Sequence, residues 1–283
     1  MDYIFRRNSR ELEMIVGELW EELHASQFEP AGMEVEFKRN RQCEPIAVEG
    51  AVMPASLEGV VDRVDTWQWR DQTYYRVVDY KTGRKDFDYC DILNGLGLQM
   101  LLYLFALEKG GGGLVGDNPQ AAGVQYFSAR APYVSIDGWQ DDETLKKERD
   151  AIRRHKGLLI NEDHVLKAME PRDDDETKWK PKWLNIKEDK SGNLSGDMAS
   201  RSQLRMLSDH VMKTLAAAVD EIASGEVSAN PYTRGTSFNA CTYCPFGAVC
   251  HQAEVTGRRN RKKVKAEEFW AEIEKGRDSD ASD

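Results

Sequence analysis

A chain of 283 residues with 40% hydrophobic and 31% charged residues can bury a substantial core and stands near the upper size for one hydrophobic domain. Its formal net charge of -10 has the wrong sign for coating nucleic acid indiscriminately, so any phosphate contact must come from local basic patches or from metal ions. No apolar run reaches the roughly 20 residues that a membrane-spanning helix needs, and MDYIFRRNSR lacks the apolar stretch of a signal peptide, so a cytoplasmic location is expected.

Residues 8–25, NSRELEMIVGELWEELHA, open on a capping-box-like Asn8 and Glu11 and place Leu12, Ile15, Val16, Leu19 and Leu23 on one face, which predicts an amphipathic helix. MEVEF at 33–37 alternates as a strand does, with Glu34 and Glu36 on a common face. LEGVVDRVDTWQW (57–69) and YYRVVDYK (74–81) read as a hairpin joined across Arg70-Asp71-Gln72. DILNGLGLQMLLYLFALEKG (91–110) is apolar around most of its circumference and ends in a glycine run, which predicts a buried helix. AAGVQYFSA at 121–129 adds a strand. Helix, three strands, buried helix and strand in that order predict an α/β layer whose sheet is covered by helices.

Beyond residue 138 the pattern predicts a charged helix over 141–156 and a shorter one over 162–169. Residues 170–200 are polar and aperiodic and read as an extended loop anchored by Trp179 and Trp183. A long helix over 201–224, a cysteine segment, a basic stretch and a last helix around 265–275 complete the chain. The expected organisation is an N-terminal helix (1–30), an α/β core (31–137), a helical region (138–225) and a cysteine segment with a basic, helical tail (226–283).

The stretch RVVDYKTG at 76–83 puts Asp79 and Lys81 on one face of a strand that is otherwise apolar. Hairpin pairing brings Asp62, in GVVD at 59–62, alongside them, so two carboxylates and an ammonium share a small volume. Like charges so close are costly unless a cation joins them. Hard carboxylate oxygens suit Mg²⁺ or Mn²⁺, which can activate a water and neutralise a phosphodiester, with Lys81 steadying the developing charge. Gln99 and Tyr103, four residues apart, share one face of the buried helix, and Glu34 or Glu36 could add a carboxylate from the first strand.

Together GVVDRVD, VVDYKTG and GLGLQMLLYL, in this order and spacing, resemble the RecB-like branch of the PD-(D/E)xK nucleases. Within that branch they are similar to the nuclease domain of the AddB-type subunits of bacterial ATP-dependent helicase-nucleases. The resemblance implies a restriction-endonuclease-like core, a central mixed sheet flanked by helices, with a helical, cysteine-containing lobe. It implies a Mg²⁺-dependent (or Mn²⁺-dependent) exonuclease that trims a DNA strand during double-strand-break repair, beside an AddA-type helicase subunit. By position it assigns Asp62 and Asp79 as metal ligands with Glu34 as a third, Lys81 as the catalytic lysine, and Gln99 and Tyr103 as a supporting pair near the scissile phosphate.

Cys241, Cys244 and Cys250 follow the pattern C-x2-C-x5-C and could converge on zinc or an iron-sulfur cluster, a choice the ligand types leave open. The resemblance implies a [4Fe-4S] cluster whose fourth cysteine precedes the core, yet residues 1–30 contain no cysteine. Cys43 and Cys90 do not match that position; His251, Cys43 or an outside ligand could complete the shell. The chain therefore reads as a fragment or the product of a split gene. GRRNRKKVK at 257–265, and the set Arg149, Arg153, Arg154 and Lys156, are candidate DNA-backbone contacts. Two other readings stay open: a non-catalytic DNA-end-binding or assembly module, and a stand-alone exonuclease of the kind used in CRISPR spacer acquisition.

Overall fold

A computed structural model describes residues 2–83, 85–129, 134, 136, 138–173, 177–234, 238–250 and 259–280. The chain begins with α1 (Asp2–Ala25), β1 (Glu29–Phe37), β2 (Ile46–Glu49), β3 (Pro54–Leu57), β4 (Gly59–Trp69) and β5 (Gln72–Lys81). Next come α2 (Tyr89–Leu93), α3 (Gln99–Gly110), α4 (Gly112–Val115) and β6 (Pro119–Ser128). α5 (Asp142–Arg153), β7 (Lys156–Ile160), α6 (Asp163–Met169), β8 (Ile186–Glu188), β9 (Leu194–Gly196), β10 (Met198–Ala199) and α7 (Arg201–Ala223) follow. The C-terminal part holds β11 (Tyr232–Arg234), β12 (Phe238–Asn239), a 3-10 turn (Ala240–Tyr243), α8 (Gly247–Cys250), β13 (Arg259–Asn260) and α9 (Ala266–Asp280). Among the described residues no helix is long and apolar enough to cross a membrane.

Two compact units are present. The first comprises 1–46, 57–87 and 99–208 and is built on a six-stranded sheet of order β1-β4-β5-β6-β7-β10. β1, β4 and β5 form an antiparallel run, β6 joins β5 in parallel, β7 is antiparallel to β6, and β10 is parallel to β7. The α/β pattern predicts a sheet covered by helices, and the family resemblance implies that the sheet is mixed, as it is. α3 covers the sheet because it is apolar almost all round: Met100 to Phe105 and Leu107 are buried, and the Tyr75 hydroxyl of β5 donates to the Leu104 carbonyl at 2.8 Å. The second unit comprises 47–56, 88–98 and 209–283 and contains the three-stranded sheet β12-β11-β13. Within it the aromatic rings of Tyr89 and Phe269 pack α2 against α9, with centroids 4.9 Å apart.

Three details depart from the sequence-based expectation. The single helix expected over 91–110 is two, because Gly95 and Gly97 adopt φ of 80° and 65°, a left-handed conformation that ends α2 before α3 begins. Residues 170–200 contain β8, β9 and β10 rather than loop alone. Trp179 and Trp183 are buried there, as anchors should be, but carboxylates do the fastening: Glu170 accepts the Trp183 and Leu184 N–H groups, each at 3.0 Å, and Glu188 accepts Arg172 at 2.9 Å. On α1, Leu12 and Val16 are each 61% exposed, and the side chain that turns fully inward is Glu22.

Candidate active site

The β4/β5 hairpin sets the site through its register. Pairing runs from Trp69 opposite Gln72 to Arg63 opposite Val78, and Asp62 and Asp79 are the next residues on the two strands. Alternation along each strand puts both carboxylates on one face, the face that Arg63 and Val78 leave. Asp62 is held by its Oδ2, which accepts the Tyr80 N–H at 2.8 Å. Asp79 is 8% exposed, and Lys81 Nζ lies 2.6 Å from its Oδ2. Lys81 is the one ion-pair partner of that oxygen among the described residues, and no hydrogen bond to it is formed there. A buried carboxylate on the same sheet face as a second one fits a hard divalent cation, and Mg²⁺ needs only one or two protein carboxylates beside water and phosphate.

β6 adds a residue that motif reading overlooks. Tyr126 pairs with Asp79, and Lys81 with Ser128. Burial, and secondarily the Asp79 charge, push the Tyr126 hydroxyl up to about 12, so it stays protonated and able to donate throughout the neutral range. Its only sequence signal is its place in an apolar strand, where a tyrosine reads as core.

Gln99 and Tyr103 do meet: Gln99 Nε2 donates to the Tyr103 hydroxyl at 3.2 Å. Tyr103 is 5% exposed and stacks on Phe37 with ring centroids 5.2 Å apart. Gly59 makes room for it, since a Cβ at that position would stand 2.0 Å from the Tyr103 hydroxyl oxygen and 2.8 Å from its ring carbon. Gly59→Ala must therefore displace a ring already confined by Phe37. Overpacking of this kind costs about 1–3 kcal/mol, to be read as a lowered midpoint in urea unfolding, and Tyr103→Phe in the same chain should recover part of the loss.

Glu34 does not join the two aspartates as a third member. Met33 and Val35 pair with Arg63 and Val61, which brackets Asp62, but Glu34 is exposed with a φ of 49°. Left-handed backbone interrupts the alternation that would aim its side chain with its neighbours. Glu36 is occupied instead by Arg41, at 2.9 Å. Among the described residues no three His, Cys, Asp or Glu side chains form a group able to hold a metal ion.

That holds for the cysteines too. Cys241 is half-buried on the 3-10 turn, while Cys244 and Cys250 are exposed. Among the described residues the three thiols form no group able to hold a metal ion, and Cys43 and Cys90 are buried. His251, and Gly257 and Arg258 of the basic run, lie outside the described residues. Arg259, Arg261, Lys262, Lys263 and Lys265 are exposed. Of the other basic set, Arg153 is paired with Glu18 at 2.8 Å and Lys156 donates to Asn185 at 3.2 Å, so that face is partly spent on internal contacts.

The profile of the PD-(D/E)XK nuclease superfamily matches residues 2–251. The chain is 34% identical over 259 residues to the B-type subunit of the ATP-dependent helicase/deoxyribonuclease of Acetivibrio thermocellus, covering 89% of this chain and 22% of that one. The corresponding proteins of Thermoanaerobacter sp. and Clostridium novyi, which bear the same name, are 31% and 30% identical, covering 97% and 96% of this chain and 24% of each relative. The chain thus spans about a quarter of the length of these curated relatives. A mixed sheet that sets Asp62, Asp79 and Lys81 on neighbouring strands, and a family match over most of its length, lead to one conclusion: the chain belongs to the PD-(D/E)XK nuclease superfamily.

Proposed function

We propose that this chain is a deoxyribonuclease that hydrolyses phosphodiester bonds with a divalent cation, Mg²⁺ or Mn²⁺, held by Asp62 and Asp79. The observation that carries this reading is the buried carboxylate of Asp79, on the same sheet face as Asp62 of the neighbouring strand and 2.6 Å from the Lys81 ammonium. When bound, the cation would lower the pKa of a water and neutralise charge on the phosphate. The chain's own groups do the rest. The Tyr80 N–H orients Asp62, and Lys81 supplies a cationic donor where charge develops on phosphorus-bound oxygen. Tyr126 remains a protonated neighbour of Asp79. Gln99 and Tyr103, joined to each other, form the helix side of the site.

The names of its relatives support a place in an ATP-dependent helicase/deoxyribonuclease, and the sequence resemblance supports an AddA-type helicase partner that supplies single strands from a broken DNA end for trimming. The sequence resemblance is the support for a [4Fe-4S] cluster on Cys241, Cys244 and Cys250; no step of the chemistry runs through it. The test is direct. Purified chain with Mg²⁺ should shorten end-labelled single-stranded DNA, chelation with EDTA should stop it, and Asp62→Ala should be inactive. Cleavage that survives in Asp62→Ala, or in EDTA, would exclude this site as the source.

A further inference from the structure

Behind the aspartates, on residues that alternate with them, the first unit buries an ionic network that the proposed chemistry does not use. Arg63, Asp65 and Arg76 are each 0% exposed, Glu22 and Gln125 1%, and His155 5%. Asp65 bridges the strands: its Oδ1 is 2.8 Å from Arg63 Nε and its Oδ2 accepts Arg76 Nε at 2.8 Å. Arg76 also donates to Glu22 Oε1 at 3.0 Å and to Gln125 Oε1 at 2.8 Å. Glu22 Oε1 lies 3.9 Å from both Arg63 Nη2 and His155 Nδ1. Burial and the two guanidinium groups favour neutral His155, and burial opposes but does not outweigh the basic neighbours that favour ionised Glu22, of which Arg63 and Arg76 are always charged. Two cations then face two anions, a balanced set.

One contact leads out of this network. Arg63 Nη1 donates to the Tyr80 hydroxyl at 2.7 Å, with its guanidinium 5.5 Å from the ring centroid. Tyr80 stands between Asp79 and Lys81, and its N–H holds Asp62 Oδ2. Arg63 is the residue after Asp62. Two points of the buried network are therefore covalently adjacent to the three residues of the site, from opposite strands.

We propose that Tyr80 is a positioning residue: anchored by Arg63 to the Glu22–Asp65–Arg76 network, it holds the Asp62 carboxylate and the flanking Asp79 and Lys81 in the register that binds the cation. This rests on the metal-site reading above and extends it to the opposite face of the sheet. Tyr80→Phe is the informative variant, because it keeps the ring and the fold and removes only the hydroxyl that receives Arg63. Three measurements on the full chain judge it. Mn²⁺ binding followed by EPR should weaken about 10- to 100-fold, as when a ligand loses the group that orients it. Hydrogen exchange at the residue 80 amide, measured without metal, should quicken roughly tenfold, the scale of one lost hydrogen bond. The Mg²⁺ concentration for half-maximal cleavage should rise while KM for single-stranded DNA stays as in wild type.

Unchanged Mn²⁺ affinity with unchanged residue 80 exchange overturns the proposal. A parallel rise in KM and loss of thermal stability would also overturn it, as a general structural role. Wild-type chain that binds Mn²⁺ no better than Asp62→Ala would instead sink the metal-site reading, and the metal-free exchange measurement would still decide whether Arg63 and Tyr80 position Asp62.

Discussion

Asp79→Ala is expected to yield a protein that cuts no DNA yet unfolds at the same temperature as wild type or higher. The carboxylate is almost completely buried, and it shares a sheet face with a second carboxylate on the neighbouring strand. Each of those features costs folding free energy, by desolvation and like-charge repulsion, and the Lys81 contact offsets only part. Removing Asp79 relieves the cost and removes a proposed ligand. Lys81→Ala should behave differently. Its side chain is 38% exposed, so its loss should leave stability nearly unchanged while lowering kcat about 10²- to 10³-fold, the usual effect of deleting one charge-stabilising donor. Calorimetric melting beside single-turnover cleavage checks both. A marked fall in the Asp79→Ala melting temperature, with activity retained, would mean that Asp79 is a structural residue.

The opposite face of the same strands carries the largest expected stability effect. Asp65→Ala leaves Arg63 and Arg76 sharing one buried anion, Glu22, and an uncompensated buried charge costs about 3–5 kcal/mol. That is a large share of the roughly 5–15 kcal/mol by which domains are stable, so a chain that is partly unfolded at 37 °C is the expected phenotype. The surface pair Lys167–Asp163, at 2.7 Å with side chains 42% and 66% exposed, provides the control. Lys167→Ala should cost no more than about 0.5 kcal/mol despite the similar contact distance, because water screens the pair. Urea denaturation of the two variants separates burial from proximity. Equal losses would show that the network is more hydrated than its packing indicates.

His155 extends this to pH. Burial and the neighbouring guanidinium groups hold it below the ordinary histidine range in the folded state, whereas the unfolded chain binds its proton near pH 6.5. Its contribution to stability is therefore fully present above that value and diminishes as pH falls toward the folded-state pKa.

Much of the site was legible in the amino-acid order. Period-two alternation in GVVDRVD and VVDYKTG puts Asp62, Asp79 and Lys81 on a hairpin, and four-residue helical spacing brings Gln99 to Tyr103, where a hydrogen bond forms. These are short-range rules, and they succeed because each relates residues of one strand, one hairpin or one helix. The carboxylate at position 34 obeyed the same alternation on paper, but a single left-handed residue interrupted it. The thiol spacing of Cys241, Cys244 and Cys250 is compatible with convergence, but among the described residues they form no group able to hold a metal ion.

What only the tertiary structure decided is the partnership of distant charges. Glu22 sits on an amphipathic helix where an acid reads as solvated, and the arginine it accepts is 54 residues away. Tyr126 reads as core until the parallel β5/β6 pairing sets it beside Asp79. Arg63, Asp65 and Arg76 interrupt apolar strands, and that interruption is their whole sequence signal. A buried charge can be recognised from its neighbours in the chain, but its counter-charge is chosen by the packing of helix on sheet, which local order does not encode.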